Sequence, residues 1–303
     1  MMKKYSCIIV DDDEIDRLTA VSYAKKFPVL DILGVFESAE EAVPFLEKQK
    51  IDTLEAHYHA FVLDLLKTDA LIAKGNAIVK EHFEFLNIIT KISFSDALNK
   101  DILAQGELMS TKLFCCYLEE QGQDHLLLPA LDFMVLDQNE EPDLPLIRSK
   151  LTALLAAHAS TKIFITQGYI CRNAKGEVDN LKRGGSDYTA SLIAAAVQAS
   201  VCEIWTDIDG MHNNDPRVVD KTVAIEQLSF DEAAELAYFG AKILHPTCIW
   251  PAQQENVPVK LLNTMQPDAV GTVIRQEAGS TGVKAVAAKD GITAIKIKSS
   301  RML

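Results

Sequence analysis

The stretch Lys182-Arg183-Gly184-Gly185-Ser186-Asp187-Tyr188-Thr189 packs two adjacent glycines, a cation, an acid and hydroxyls into the start of an apparent helix. Ahead of it, Lys162-Ile163-Phe164-Ile165-Thr166-Gln167-Gly168 is a short β-branched run ending in glycine. Behind it, residues 190–199 are almost uninterrupted alanine and aliphatic. The stretch therefore predicts a turn between a strand and a helix. At a helix N-terminus the free N–H groups and the positive end of the dipole attract an anion, and residues without a Cβ let it approach the backbone. A Gly-Gly pair before a helix is by itself more often a plain loop and cap. A second cluster raises the odds of a phosphate site. Trp205-Thr206-Asp207-Ile208-Asp209-Gly210 closes the next apparent strand, residues 201–205. In open parallel sheets ligands bind outside the carboxyl ends of the strands, so two polar strand ends joined by a helix describe one crevice.

Composition narrows the function classes. The 303 residues suit one large α/β domain or two smaller ones, and 48% hydrophobic with 24% charged residues is the make-up of a globular chain with a sizeable core. A net charge of −13 disfavours nucleic acid as a partner, because binding a polyanion relies on Lys and Arg. Any phosphate bound here must be recognised locally. Cys7, Cys115, Cys116, Cys171, Cys202 and Cys248 show no metal-ligand spacing and read as reduced cytosolic thiols. The apolar run after Lys3-Lys4 stops at Asp11-Asp12-Asp13, too early for a signal peptide, and no segment approaches the ~18 apolar residues of a membrane helix. A cytoplasmic protein with no membrane partner is expected.

Along the chain, residues 5–10, 14–27, 30–36 and 39–49 read as strand, helix, strand and helix. Residues 51–120 are mostly helical, with Gly106-Glu107 read as a break and a new helix start that places Glu107 in the first turn. His57 and His59 lie two apart, so they share no helix face and make no metal pair. Short strands are expected at 126–128 and 133–135, and a helix at 146–158. Asn173-Ala174-Lys175-Gly176 is a turn signal that makes 169–182 a hairpin. Ser229-Phe230-Asp231-Glu232 matches a capping box that starts a helix. A short helix follows His245-Pro246, with a strand at 258–262, an edge strand at 271–274 and strand-like alternation over 284–298.

Residues 51–303 resemble the catalytic domain of aspartate kinase, a member of the amino-acid kinase family. The resemblance rests on four motifs in the family's order. These are Gln105-Gly106-Glu107-Leu108-Met109-Ser110-Thr111, the 183–189 stretch, Trp205 to Gly210 with Asp215-Pro216-Arg217, and Phe239-Gly240-Ala241-Lys242-Ile243-Leu244-His245-Pro246. It implies an α/β fold, a three-layer α/β/α sandwich around a mainly parallel sheet. The implied reaction takes ATP with Mg²⁺ and L-aspartate to 4-phospho-L-aspartate and ADP, in a protein that is a possible homodimer. It further implies that Glu107 receives the substrate ammonium, Arg183 clamps a carboxylate, and Gly184, Gly185 and Ser186 line the substrate and phosphate site. Asp187 acts with Arg183 in catalysis, and Thr206, Asp207, His212, Arg217 and Lys242 contact ATP. His212 stands where many members have Tyr. A metal-ligand set is not assigned.

The opening departs from that family. Its pattern begins with a strand ending in Lys-Phe-Gly-Gly-Thr-Ser, and nothing like it occurs in residues 1–49. Ile8-Ile9-Val10-Asp11-Asp12-Asp13-Glu14 instead resembles the start of a response-regulator receiver, although His57 falls where the phospho-acceptor Asp would. The expected organisation is a receiver-like 1–50 sharing the sheet, a catalytic 51–283, and a 284–303 segment that in longer members leads to regulatory ACT domains. Phosphoryl transfer is expected to be slow or absent. The alternatives are a catalytically silent binding scaffold and a receiver-like signalling fusion.

Overall fold

The computed structural model describes residues 5–10, 14–89, 96–182, 184–214, 219, 221–239, 245–277 and 282–286. Asp11-Asp12-Asp13, Arg183, Asp215 to Arg217, Lys242 and the strand expected beyond residue 286 lie outside them. The chain divides into two compact units, residues 1–105 with 112–123, and residues 106–111 with 124–303.

In the first unit β1 (Tyr5–Val10) and β2 (Leu30–Phe36) pair in parallel, with a register shift between Cys7 and Ile8. Helix α1 (Glu14–Ala24) joins them, and α2 (Ala39–Leu65), α3 (Asp69–Ile89) and α4 (Asp96–Glu120) follow, residues 106–111 of α4 belonging to the second unit. Helix α2 runs unbroken past residue 49, where the sequence suggested its end. It packs closely on α3 because Gly75 leaves room: a Cβ there would stand 2.9 Å from Val62 Cγ1. Val62, Leu66, Val79 and Phe83 are buried. His82 is buried between helices, its Nδ1 2.7 Å from Gln105 Oε1 and its Nε2 3.1 Å from Lys112 Nζ. Burial foremost pushes its pKa down.

Helix α4 corrects the expected break at Gly106-Glu107. It continues through both residues, because side chains support the turn that glycine weakens. Gln105 Nε2 donates to Asp101 O at 3.0 Å, and Thr111 Oγ1 donates to Glu107 O at 2.8 Å.

The second unit holds a four-stranded sheet in the order β7 (Cys202–Thr206), β9 (Val259–Asn263), β10 (Thr272–Arg275), β8 (Gln227–Ser229). β10 is therefore internal and not the expected edge strand: it pairs antiparallel with β9 and parallel with β8. β3 (Leu126–Leu127) and β4 (Phe164–Ile165) pair in parallel, and β5 (Ile170–Arg172) and β6 (Val178–Asn180) form the expected hairpin. That hairpin is anchored: Ile170 and Cys171 are buried, and Arg172 Nε donates to Leu131 O at 3.0 Å. The strand expected at 133–135 is instead the end of a helical turn, α5 (Ala130–Phe133), after which Val135 makes a single bridge to Arg172. Pro129 precedes that turn, and Gln167 Oε1 accepts from its first amide, Ala130 N, at 2.8 Å.

Helix α6 (Leu144–Ala157) begins at an Asp143 side-chain cap. Helix α7 (Gly185–Val197) buries Thr189, Ser191, Leu192, Ala194, Ala195 and Ala196. These small residues allow close approach, and Ser191 Oγ accepts from Ala252 N in α9 (Trp250–Gln254) at 3.1 Å. β7 alternates, with Cys202 and Ile204 buried and Glu203 and Trp205 exposed, as a one-sided strand requires. Its inner face joins Met211, Leu228, Ile249, Val259, Leu261 and Ile274 in one core. The capping box opens α8 (Phe230–Phe239) as expected: Ser229 N donates to Glu232 Oε2 at 2.7 Å and Glu232 N to Ser229 Oγ at 3.1 Å. The fold is the anticipated α/β class, with mostly parallel strand pairing and flanking helices.

Candidate functional site

Gly184 caps α7 with φ 74°, a left-handed conformation in which glycine is unstrained. Its Cα faces Cys248, and any side chain on it would run into the Cys248 sulfur. Gly185 is equally constrained, because a Cβ would lie 2.8 Å from Tyr169 Cδ2. Gly168 leaves room for Ser186, whose Oγ would be 2.5 Å from a Cβ at 168. The glycine turn is thus fitted against the end of β4 on one side and Cys248 on the other. Tyr169 itself holds φ 66°, a strained value for a residue with a side chain, and its N–H donates to Thr189 Oγ1 at 3.0 Å.

The residues after β4 reach α4 as well. Gln167 is buried, with 1% of its surface exposed, and its Nε2 donates to Thr111 Oγ1 at 2.8 Å. Thr111 Oγ1 in turn donates to Glu107 O, one helical turn earlier. Two sites far apart in sequence, the Glu107 turn and the α7 glycine turn, therefore meet the same three residues, Gln167, Gly168 and Tyr169.

Two carboxyl groups here lack partners among the described residues. Burial raises the Glu107 carboxyl above its ordinary value, and burial also raises that of Asp187, in the first turn of α7. The thiols of Cys202 and Cys248 are each pushed up to about 11, by burial first and then by the Asp187 charge. These sulfurs are packing groups at neutral pH. A half-buried carboxylate without a partner favours a cation beside it, whereas the start of α7 favours an anion.

A second cluster follows β7. Ile208 N donates to Thr206 Oγ1 at 3.1 Å, and Thr264 N donates to Thr206 O at 2.7 Å, which fixes the strand end while Asp207 stays exposed. His212 is held at both ring nitrogens, 2.6 Å from Asp209 Oδ1 and 2.7 Å from Thr222 Oγ1. Its ring is a fixed polar group, unlike a freely stacking aromatic. Among the described residues no group of three His, Cys, Asp or Glu side chains could hold a metal ion. No described helix is long and apolar enough to cross a membrane.

The profile of the Amino acid kinase family matches residues 44–263. The chain belongs to the amino acid kinase family. Lysine-sensitive aspartokinase 3 of Escherichia coli is 31% identical over 306 residues, covering 100% of this chain and 67% of that protein. A bifunctional aspartokinase/homoserine dehydrogenase 1 of Arabidopsis thaliana is 30% identical over 97% of this chain and 33% of its own length. The crystal structure of E. coli aspartokinase III in complex with aspartate and ADP matches with a TM-score of 0.68 at 26% identity, over 91% of this chain and 65% of that one. The chain thus spans about two-thirds of the aspartokinase and one-third of the bifunctional relative. The first alignment takes in residues 1–50 with the rest, so the opening is matched within an aspartokinase.

Of the residues singled out in the sequence, the chain brings Gly184, Gly185, Ser186 and Asp187 together at the start of α7 and sets Glu107 in mid-helix. It gathers Thr206, Asp207 and His212 after β7. Sequence reasoning passed over Thr111, Gln167, Tyr169 and Cys248, which hold these residues in place. Thr111 and Gln167 stood only inside quoted stretches, the 105–111 motif and the 162–168 run, with no partner indicated for either.

Proposed function

We propose that this chain is an aspartokinase-type phosphotransferase, in which the side-chain carboxylate of L-aspartate attacks the γ-phosphorus of ATP, the bond to the β-phosphate oxygen breaks, and 4-phospho-L-aspartate and ADP form. The observation that carries the reading is the pairing, through Gln167 to Tyr169, of a partnerless half-buried carboxylate with a glycine turn at a helix N-terminus. An amino acid brings an ammonium for the first, and a nucleotide brings phosphate for the second.

In this reading Glu107 receives the substrate ammonium, and Arg183 clamps a carboxylate bidentately. Gly184 and Gly185 offer backbone N–H groups to the phosphates beside Ser186, and Asp187 orients the acceptor. Thr206, Asp207, His212, Arg217 and Lys242 hold the nucleotide. A carboxylate is already a nucleophile at neutral pH, so no general base is required, and catalysis is positioning plus charge neutralisation. Mg²⁺ would come in with the polyphosphate, whose oxygens supply much of its coordination, and would help to neutralise the phosphate charge. We take the setting to be cytoplasmic and the assembly to be a homodimer. The receiver-like reading of residues 8–14 is left aside, since an aspartokinase alignment takes in those residues.

Turnover is expected to be slow. A strand ending in carboxylates in place of the Lys-Phe-Gly-Gly-Thr-Ser opening replaces a cation, and each unit charge near 4 Å changes the interaction by about 4 kcal/mol at an effective dielectric of ~20. The test is aspartate-dependent ADP release by this chain beside a version whose first strand carries that opening. Release by the altered version, several powers of ten faster, is the expected result. Equal, robust turnover by both would show the opening to be dispensable. If neither ADP nor aspartate raises the thermal midpoint, the chain is a silent scaffold.

A further inference from the structure

We propose that Gln167 and Thr111 act together as positioning residues for the Glu107 carboxylate, and thereby set the affinity for the amino-acid substrate without touching it. The inference rests on the reading of Glu107 as the ammonium acceptor. Glu107 lies in mid-helix beside Gly106, the weakest helix former short of proline, and its carboxylate has no hydrogen bond or ion pair among the described residues. Its carboxylate is therefore placed by the backbone beneath it.

That backbone is fixed from one side by a directional chain of hydrogen bonds. Gln167 Oε1 accepts from Ala130 N at 2.8 Å, and Gln167 Nε2 donates to Thr111 Oγ1 at 2.8 Å. The single hydroxyl proton of Thr111 then goes to Glu107 O at 2.8 Å, with Leu108 O at 3.2 Å as its lesser acceptor. The Gln167 amide is oriented at both ends and sealed from water, so its nitrogen fixes the direction in which the Thr111 hydroxyl points. Gly168 follows it directly and faces Ser186, so the same backbone segment sets the Glu107 turn and the α7 glycine turn.

Two substitutions cut the chain at different points. Thr111→Val removes the hydroxyl and keeps the shape, leaving the bond between Gln167 and Ala130 intact. Gln167→Glu keeps an acceptor for Ala130 N but replaces the donor, so the Thr111 proton turns away from Glu107. Both are expected to weaken L-aspartate binding by about three- to tenfold, in line with the loss of one buried hydrogen bond. Affinity for ADP should change less than about twofold, and the double variant should lose little more than either single one, because the residues act in series. Thr111→Ser restores the hydroxyl and should restore affinity.

Calorimetric titration with L-aspartate and with ADP, alongside thermal unfolding, reads all of these. Aspartate affinity unchanged in Thr111→Val would overturn the proposal alone. Parallel loss of aspartate affinity, ADP affinity and thermal midpoint, without recovery in Thr111→Ser, would reduce the pair to a structural strut and overturn it too. If the unaltered protein binds ADP but not aspartate, the substrate reading fails and the positioning role fails with it. Should Gln167→Glu fail to fold, Thr111→Val and Thr111→Ser decide the matter.

Discussion

The sulfur of Cys248 occupies the space in which a side chain on Gly184 would begin. Two separate penalties follow for Gly184→Ala. The positive φ of 74° costs an L-residue about 1–2 kcal/mol, and the overlap with sulfur adds about 1–3 kcal/mol. Trimming Cys248→Ala removes the second penalty only, since Cys248 Cβ would lie 3.5 Å from the new methyl. The double variant should therefore be more stable than Gly184→Ala alone, by roughly the overlap energy less the cavity cost of the lost thiol. Denaturant unfolding of all four proteins measures this. Simple additivity would mean that the turn shifts to admit the methyl.

Glu107 should trade stability for binding. Burial raises its carboxyl above 4.5. A carboxyl with a raised folded pKa stabilises the fold below its unfolded pKa, and that contribution is lost as pH rises through the folded value. At neutral pH the ionised group therefore opposes folding. Glu107→Gln should have a higher thermal midpoint than the unaltered protein at about pH 7, with the difference closing as pH falls below its unfolded pKa. Aspartate binding should be lost in the same variant. A lower midpoint at neutral pH would show that the carboxylate has a stabilising partner.

Local signals were legible in the chain and long-range ones were not. The Ser229 and Glu232 reciprocal bonds could be read because both residues sit within one turn, and the 173–176 turn because its chemistry is local. Gly106 misled for the opposite reason: its neighbours hold the helix together against its own propensity. In sequence β10 reads as an edge strand, because its two partners, β8 and β9, come from different parts of the chain. Gln167 looked like the end of a strand and nothing more. Its partners Ala130 and Thr111 lie 37 and 56 residues away. The glycine turn was readable from its residues as a turn at the start of a helix, which is where Gly184 and Gly185 stand. The roles proposed for Glu107, His212 and Thr206 rest on resemblance alone, because single polar residues carry no pattern of their own.

Glu120 should make part of the helical unit acid-sensitive. Its carboxylate accepts from Lys67 N at 2.9 Å and from Thr68 N at 2.7 Å, so it caps the start of α3 from the end of α4. The Lys67 backbone bond is the first cause that holds its pKa below 4.5, followed by the Thr68 backbone bond. A depressed folded pKa stabilises above the unfolded value, and the contribution is lost as pH falls through the folded one. Glu120→Gln should thus lower the thermal midpoint at neutral pH, with the gap to the unaltered protein narrowing below about pH 4.5. A gap independent of pH would assign the effect to shape and not to charge.

Gly106 occupies an exposed mid-helix position at which an added Cβ would meet nothing within 4 Å. Glycine there costs the helix about 0.5–1 kcal/mol relative to alanine, so the fold alone gives no reason to keep it. Gly106→Ala should raise the unfolding free energy by about that amount. If Glu107 receives a substrate ammonium, the open space beside it is where the substrate's neighbouring atoms pass, and the new methyl would intrude on them. The same variant should then bind L-aspartate several-fold more weakly while its ADP affinity stays put. Higher stability with unchanged aspartate affinity would place the substrate away from this turn. Lower stability would show that the helix at Gly106 is held in a conformation that alanine cannot share.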